Sequence, residues 1–163
     1  MRIMITAGLV MLVATNAQAG CNPIPTAETP AVLMRAFTER MSPTGTGRWR
    51  FATKTRNGGM YYSEGTELNF IIENSGSLIS EAGLLLTPLT PADEVRMETA
   101  ATFLLSRLAG RSEKDLEGRV VKGIASAKAA QQPATVREGE ATLVISSPDP
   151  KTIVIKAGRL RCD

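Results

Sequence analysis

The residues best placed to do chemistry are the cations of one short segment, residues 48–56. Charged and apolar side chains alternate there without a break, which is typical of a half-buried antiparallel strand. Trp49 and Phe51 would lie on the buried side of this strand, so the cations would face solvent and could bind an anionic partner. The predicted anionic-partner face consists of Arg48, Arg50, Lys54, Arg56 and Tyr61.

Tyr61 joins this face through the turn that follows the strand. Residues 57–59, Asn-Gly-Gly, are a strong signal for a tight hairpin, and residues 60–62 begin the return strand. With either two-residue turn, Tyr61 falls beside the cations, where its ring can stack on one of them, and Tyr62 joins the aromatic side. A three-residue loop would reverse the two tyrosines.

The alternative reading is that this basic face is only a solvated surface whose charges discourage pairing at a sheet edge. Charge is also segregated along the chain: residues 35–62 are mainly basic, residues 63–98 mainly acidic and residues 99–137 mainly basic. These blocks can pair with one another within the fold. The formal net charge of +3 is too small to indicate a general attraction to polyanions.

The chain has few residues of the types and spacings that are typical of catalytic sites. The chain has no histidine, which removes the usual general base near neutral pH and most zinc sites. Acids close in sequence are the remaining candidates, because a glycosidase needs two carboxyl groups about 5–9.5 Å apart. Such pairs are Glu64 with Glu67, Glu138 with Glu140, and Asp93 with Glu94. Turns and a helix start explain these acids better, and we predict no catalytic, cofactor or metal site.

The first residues favour export. One charge, Arg2, precedes an uncharged run, and residues 17–19, Ala-Gln-Ala, have the form of a signal-peptidase site. We therefore predict a signal peptide at residues 1–19, a single domain at residues 20–163 and a periplasmic or secreted protein without a membrane span. The alternative is a lipid anchor on Cys21, but Gln18 stands where a lipobox has an aliphatic residue.

The only two cysteines are Cys21 and Cys162. An even count in an exported protein indicates a disulfide. This bond would close nearly the whole mature chain into one loop, for which the chain-entropy model gives roughly 5 kcal/mol as an upper figure. It would also hold both termini.

Periodicity predicts an α+β fold. Residues 90–110 read as a helix with a Thr-Pro start, an apolar stripe and a terminal glycine. We predict two further helices, one before it from Pro30 and one after it from Ser112. The second and third helices would form an αα-hairpin. They would pack on a mainly antiparallel sheet of five to six strands. Residues 78–86 are ambiguous between a strand bulged near Ala82-Gly83 and a helical turn.

These observations favour an exported, non-catalytic binding or accessory protein of the cell envelope. Its partner would be a protein or an anionic envelope component, and nucleic acid is not expected. The alternative is a carboxylate-based hydrolase acting on envelope polysaccharide. The two differ in whether two acids converge in a concave pocket.

Overall fold

The computed structural model describes residues 21–46, 48–87 and 90–162. The helices are α1 (Pro30–Met41), α2 (Pro91–Ala109) and α3 (Glu113–Ala130). The strands are β1 (Cys21–Ile24), β2 (Trp49–Lys54), β3 (Gly58–Ser63), β4 (Leu68–Ser75), β5 (Leu78–Leu86), β6 (Ala134–Glu138), β7 (Ala141–Asp149) and β8 (Thr152–Cys162). The expected signal peptide, residues 1–19, lies outside the described residues.

All eight strands belong to one antiparallel sheet with the order β2-β3-β4-β5-β8-β7-β6, and β1 adds to β8 beside this path. The α+β class is confirmed, but the expected five to six strands were too few. The additional strands are β1 and β6. β1 is short and contains Pro23, and β6 is a five-residue strand directly after Pro133, so neither offered enough alternating residues to be recognised.

β8 is the longest strand and lies in the middle of the sheet. β7 pairs along one of its edges. On the other edge β5 pairs with β8 as far as Gly158, and β1 pairs with the following residues, Arg159 to Cys162. Residues 159–162 are therefore part of the sheet.

The ambiguous segment Leu78–Leu86 is a strand throughout, β5. Its bulge lies two residues before the expected position: Glu73 of β4 pairs with Glu81 and Asn74 pairs with Ile79, so Ser80 is the extra residue. Gly83 keeps its regular place opposite Ile71.

The helices cover one face of the sheet, on which Phe70, Leu84, Leu143 and Ile155 are fully buried. The start of α2 has the expected geometry, because the Thr90 hydroxyl accepts a hydrogen bond from the Asp93 backbone N–H at 3.2 Å. None of the described helices has the length and apolar character needed to cross a membrane.

The helices are placed differently from the expected arrangement, in which the last two helices form an αα-hairpin on a sheet of five to six strands. α2 lies over the central strands β5, β7 and β8, whereas α3 lies over β6 and β7, near an edge that the sequence did not reveal. α1 packs beside α2 and reaches the sheet through Phe37, whose ring stacks on Phe70 with 4.1 Å between centroids.

Gly123 allows the close approach of α3 to this edge. A Cβ atom at this position would lie 2.7 Å from Val136 Cγ2 and 3.0 Å from Ile145 Cδ1, both on strands beneath the helix. Gly118, one and a half turns earlier, is exposed and has nothing within 4 Å of such an atom. Only one of the two helical glycines is therefore needed for packing.

We predict opposite effects of alanine at these two glycines. Gly123→Ala should lower the free energy of unfolding by about 1–3 kcal/mol, because the added methyl group overpacks the contact with Val136 and Ile145. Gly118→Ala should raise it by roughly 0.5–1 kcal/mol through helix propensity alone. Urea denaturation of both variants measures the difference, and equal effects would contradict the close packing of α3.

The predicted disulfide is confirmed. Cys21 and Cys162 are directly opposite each other where β1 pairs with the end of β8, and their sulfur atoms are bonded. The sequence separation is 141 residues. The bond therefore fixes β1, a strand of only four residues, to the end of the central strand.

We predict that Cys21→Ser with Cys162→Ser lowers the free energy of unfolding by about 2–5 kcal/mol, because the unfolded chain loses its longest loop constraint. Urea denaturation of the oxidised protein and of the double variant tests this value. The reduced wild-type protein is the control and should match the variant. A reduced protein as stable as the oxidised one would contradict this role of the bond.

Candidate functional site

The candidate site is the hairpin of β2 and β3 at one edge of the sheet. In the part of the chain that the structure describes, β2 pairs only with β3, and its outer edge has no partner strand. Every residue of β2 after Trp49 is exposed. The strand is shorter than the alternating segment, since Arg48 and Arg56 flank it.

A β-bulge at Ala52 determines which side chains share a face. Phe51 pairs with Tyr61, but the next pair along the hairpin is Thr53 with Met60, so Ala52 has no partner. Each inserted residue reverses the alternation. Residues before and after Ala52 therefore exchange faces relative to an unbroken strand.

The expectation for Tyr62 is wrong for this reason, whereas Tyr61 keeps the expected side of Lys54 and is joined there by Phe51. Tyr61 lies directly opposite Phe51, on the side of the sheet that the helices cover, and the two rings meet edge to face at 5.7 Å. Tyr62 lies opposite Arg50 on the other side. A regular two-residue hairpin would have given the reverse.

The expected cationic face is also divided. Arg50 is on the open side of the sheet and forms an ion pair with Glu64. Lys54 pairs with Gly59 and so shares the side of Tyr61. Arg48 and Arg56 are exposed next to the two ends of β2. The cations thus surround the hairpin instead of forming one face.

Most cations of the described residues form ion pairs, and those pairs join the charge blocks. Arg40 with Glu113 at 2.8 Å and Lys128 with Glu94 at 2.5 Å are examples. Within the described residues, the cations whose side chains form neither an ion pair nor a hydrogen bond that we find are Arg48, Lys54, Arg56, Lys114, Lys122 and Lys151. Half of this set belongs to the hairpin, which is where uncompensated positive charge is concentrated.

An aromatic row connects the hairpin to the core. Phe37 stacks on Phe70, and Trp49 contacts both rings at centroid distances of 5.2 and 6.2 Å. Phe51 continues this side of the sheet beyond the helices. Its side chain was expected to be buried, but it is 55% exposed. Single exposed apolar side chains are common on protein surfaces, and Val32 and Val95 are exposed to a similar degree. Phe51 differs from them in its position beside the cations of the hairpin.

Gly59 allows Phe51 to lie flat across the hairpin. A Cβ atom at this position would be 2.9 Å from Phe51 Cε2 and 3.4 Å from Tyr61 Cε2. The ring of Phe51 therefore lies over the backbone of β3. This arrangement fixes the exposed aromatic surface next to Lys54, the residue opposite Gly59.

Five of the six acids considered for catalysis form ion pairs with cations. Glu138 is bound by Arg119 at 2.5 Å and by Arg111 at 3.2 Å, and these hydrogen bonds, that of Arg119 foremost, lower its pKa. Glu140 is bound by Arg161 and Arg159, and hydrogen bonding, chiefly from Arg161, lowers its pKa as well. A general acid needs a raised pKa, so the arginines oppose that role.

Three of the four acids in the other two pairs are accounted for in a similar way, and Glu67 is the exception. Asp93 accepts a hydrogen bond from Arg96 at 2.7 Å and belongs to the start of α2, Glu94 pairs with Lys128, and Glu64 pairs with Arg50. Within the described residues, no group of three or more His, Cys, Asp or Glu side chains is arranged to hold a metal ion.

Comparison of the chain with protein-family models, with curated proteins and with solved structures finds no match.

We predict that Phe51→Ala lowers the free energy of unfolding by less than about 1 kcal/mol, because the side chain is more than half exposed. The matched control is Phe37→Ala at the other end of the aromatic row. Phe37 is 0% exposed, and its loss should cost about 3–5 kcal/mol. Urea denaturation measures both values. A large loss for Phe51→Ala would mean that this ring stabilises the fold and is not kept for contact.

Proposed function

We propose that this chain is an exported, non-catalytic binding protein of the cell envelope and that it engages an acidic protein or another anionic envelope component through the β2–β3 hairpin. The observation that carries the proposal is the coincidence at one place of an exposed aromatic ring, Phe51, with the unpaired cations Arg48, Lys54 and Arg56. Elsewhere on the described surface most cations are neutralised by carboxylates.

The physical basis of such binding is complementary charge with an aromatic anchor. Exposed cations steer an anionic partner toward the hairpin and add specificity more than affinity. Phe51 would contribute apolar contact area, and the edge-to-face pair with Tyr61 limits its motion before binding. The hairpin offers both parts of this mode of recognition.

Export is a separate part of the proposal. It is supported by the leader-like residues 1–19 and by a disulfide, a bond that persists mainly in oxidising compartments. The same sulfur of Cys21 cannot carry both a disulfide and a lipid anchor, so the bond to Cys162 favours a mature protein without acylation at this residue.

The carboxylate-based hydrolase is not retained as a candidate. Of the acid pairs it would use, Glu138 and Glu140 are each bound by two arginines, and the acids at the start of α2 serve its cap and an ion pair. No observation favours two acids converging in a cleft of the described residues.

We predict that Arg48→Glu, Lys54→Glu and Arg56→Glu together reduce binding to an anionic probe by about tenfold or more at 0.1 M salt. Two probes separate the partner classes: poly-glutamate stands for an acidic protein, and phosphatidylglycerol vesicles stand for an envelope lipid. Binding of the wild-type protein should weaken at 1 M salt, where the Debye length falls from about 10 Å to about 3 Å.

The matched control is Lys114→Glu, Lys122→Glu and Lys151→Glu. It makes the same change in net charge with the unpaired cations that lie away from the hairpin, and its affinity should stay within about twofold of the wild type. The thermal midpoint should change little in either variant, because all six side chains are exposed. Equal losses of affinity in both variants would mean that net charge alone causes the effect. No loss of affinity in either variant would show that the hairpin is not the binding site.

A further inference from the structure

The face of the sheet opposite the helices, which we call the open face, is not covered by any helix or strand of the described residues. The helices pack together and over the other face. Successive side chains of a strand point to opposite faces, so Ile71 is on the open face because Phe70 is buried beneath the helices. An antiparallel sheet with one solvated face ordinarily has polar side chains there.

The middle of the open face is apolar instead. Leu85 of β5 lies directly opposite Val154 of β8. Two residues along, Ile71 of β4 and Val144 of β7 lie in the next row, on the strands that flank this pair. Diagonal neighbours on adjacent strands are within reach of each other, so the four side chains form one patch, and all of them are partly exposed. A contiguous apolar patch of this kind marks an interaction surface, which a single exposed side chain does not.

Two glycines of the central strands keep the open face flat beside this patch. Gly83 lies opposite Lys156, and Gly158 lies opposite Glu81. A Cβ atom at either glycine would meet its nearest neighbours at 3.5 Å, an ordinary contact distance, so packing within the chain does not require glycine there. A glycine inside a strand weakens it and often marks a place where another chain approaches closely.

The acids of the open face are incompletely compensated. Glu73 and Glu81 lie directly opposite each other, and like charges in this arrangement are destabilising. Lys156 forms an ion pair with Glu81 at 3.8 Å, whereas Glu73 has no ion pair among the described residues. Burial, opposed by the charge of Lys156, raises the pKa of Glu81. A second cation close to these two carboxylates would therefore be favoured.

The apolar pattern of the open face is complementary to itself. A two-fold axis that runs between β5 and β8, parallel to the strands, brings β5 of one copy over β8 of another and β4 over β7. It places Leu85 of one copy against Val154 of the other. It also places Ile71 against Val144, and the symmetry forms each of these contacts twice.

The same axis matches the charges with the glycines. Lys156 of one copy lies over Gly83 of the other, and Glu81 lies over Gly158, so the missing side chains leave room for both. Lys156 is then about 7 Å along the strand from the other copy's Glu81, a distance that its long side chain can span. Each pair of acids thereby gains the second cation that it lacks within one chain.

We propose that the protein forms a symmetric dimer in which the open faces of two copies pack against each other with β5 and β8 at the centre. The six strands from β3 to β6 provide a flat area on the order of 600 Å², which approaches the roughly 800 Å² that each partner buries in a standard interface. Phe51 and Lys54 lie on the other side of the sheet, so the dimer does not depend on the binding proposed for the hairpin and leaves both hairpins accessible.

Sedimentation velocity of the full disulfide-bonded protein tests the dimer directly. The wild type should change from monomer to dimer across the micromolar range. Leu85→Lys places a charge in the apolar centre and should weaken the dimer by about tenfold or more. The matched control is Val95→Lys, the same change at an apolar residue of α2 that is 59% exposed, and its dimer should stay within about twofold of the wild type. A wild type that remains monomeric, or equal losses in the two variants, would overturn the proposal.

A charge exchange between two variants tests the arrangement of the copies. Lys156→Glu and Glu81→Lys each bring like charges together in a homodimer, so each variant alone should dimerise about tenfold more weakly or worse. Their equimolar mixture should form a heterodimer within about threefold of the wild-type affinity, because each introduced charge then faces an opposite one. Native mass spectrometry identifies the heterodimer.

Both substituted side chains are about half exposed, so the variants should fold, and the thermal midpoint of each checks this. A contact within one chain could not be restored by mixing. Homodimers of the variants as strong as the wild type, or no recovery in the mixture of two folded variants, would contradict the proposed dimer.

Discussion

The pairing of β8 along both of its edges is the constraint on which the rest of the structure depends. Ile153, Ile155 and Ala157 of this strand are buried beneath the helices, and the strand brings β5, β7 and β1 together from distant parts of the chain. Such long-range pairing costs loop-closure entropy before it yields contacts. The disulfide between β1 and the end of β8 reduces that cost in the unfolded state and holds a four-residue strand that is too short to stay paired by itself.

Ion pairing contributes little to stability, but it determines where on the surface positive charge is left uncompensated. Exposed pairs contribute about 0–1 kcal/mol each, so pairs such as Arg35 with Glu39 explain little of the fold. Their collective result is that the basic and acidic blocks of the sequence neutralise one another in space. The hairpin lies outside this pattern, because only Arg50 among its cations is paired, with Glu64. A sequence count of charge could not show this difference, since it depends on which acids lie within reach of each cation in the folded state.

The predictable parts of the structure were those with local signals. The start of α2 follows from Thr90 and Pro91, the apolar runs of β7 and β8 indicate inner strands, and two cysteines in a chain expected to be exported indicate one bond. The faces of the hairpin were not predictable, because alternation assumes an unbroken register and Ala52 has no side-chain preference that would reveal a bulge. The position of Arg159 in the sheet was also hidden. Arg159 read as part of a basic tail, and only the extension of β8 to Cys162 places it beneath the helices. Phe51 was expected inside because the sequence cannot show how far α1 extends over the sheet.

The bulge at Ala52 bears on how a partner can bind the hairpin. A free edge strand invites another strand to pair with it, and natural sheets prevent this with bulges and charged residues. β2 has both, since the bulge interrupts the regular spacing of its backbone groups and Arg50 and Lys54 lie on either side of that break. A partner that adds a strand would meet this irregular edge, whereas a partner that contacts side chains would not depend on it. The same feature that protects the edge also places Phe51 on the side of Lys54, so this cation and the rings of Phe51 and Tyr61 become neighbours. The proposed binding therefore acts through side chains on the helix-covered side of the hairpin, with the backbone of β2 left unpaired.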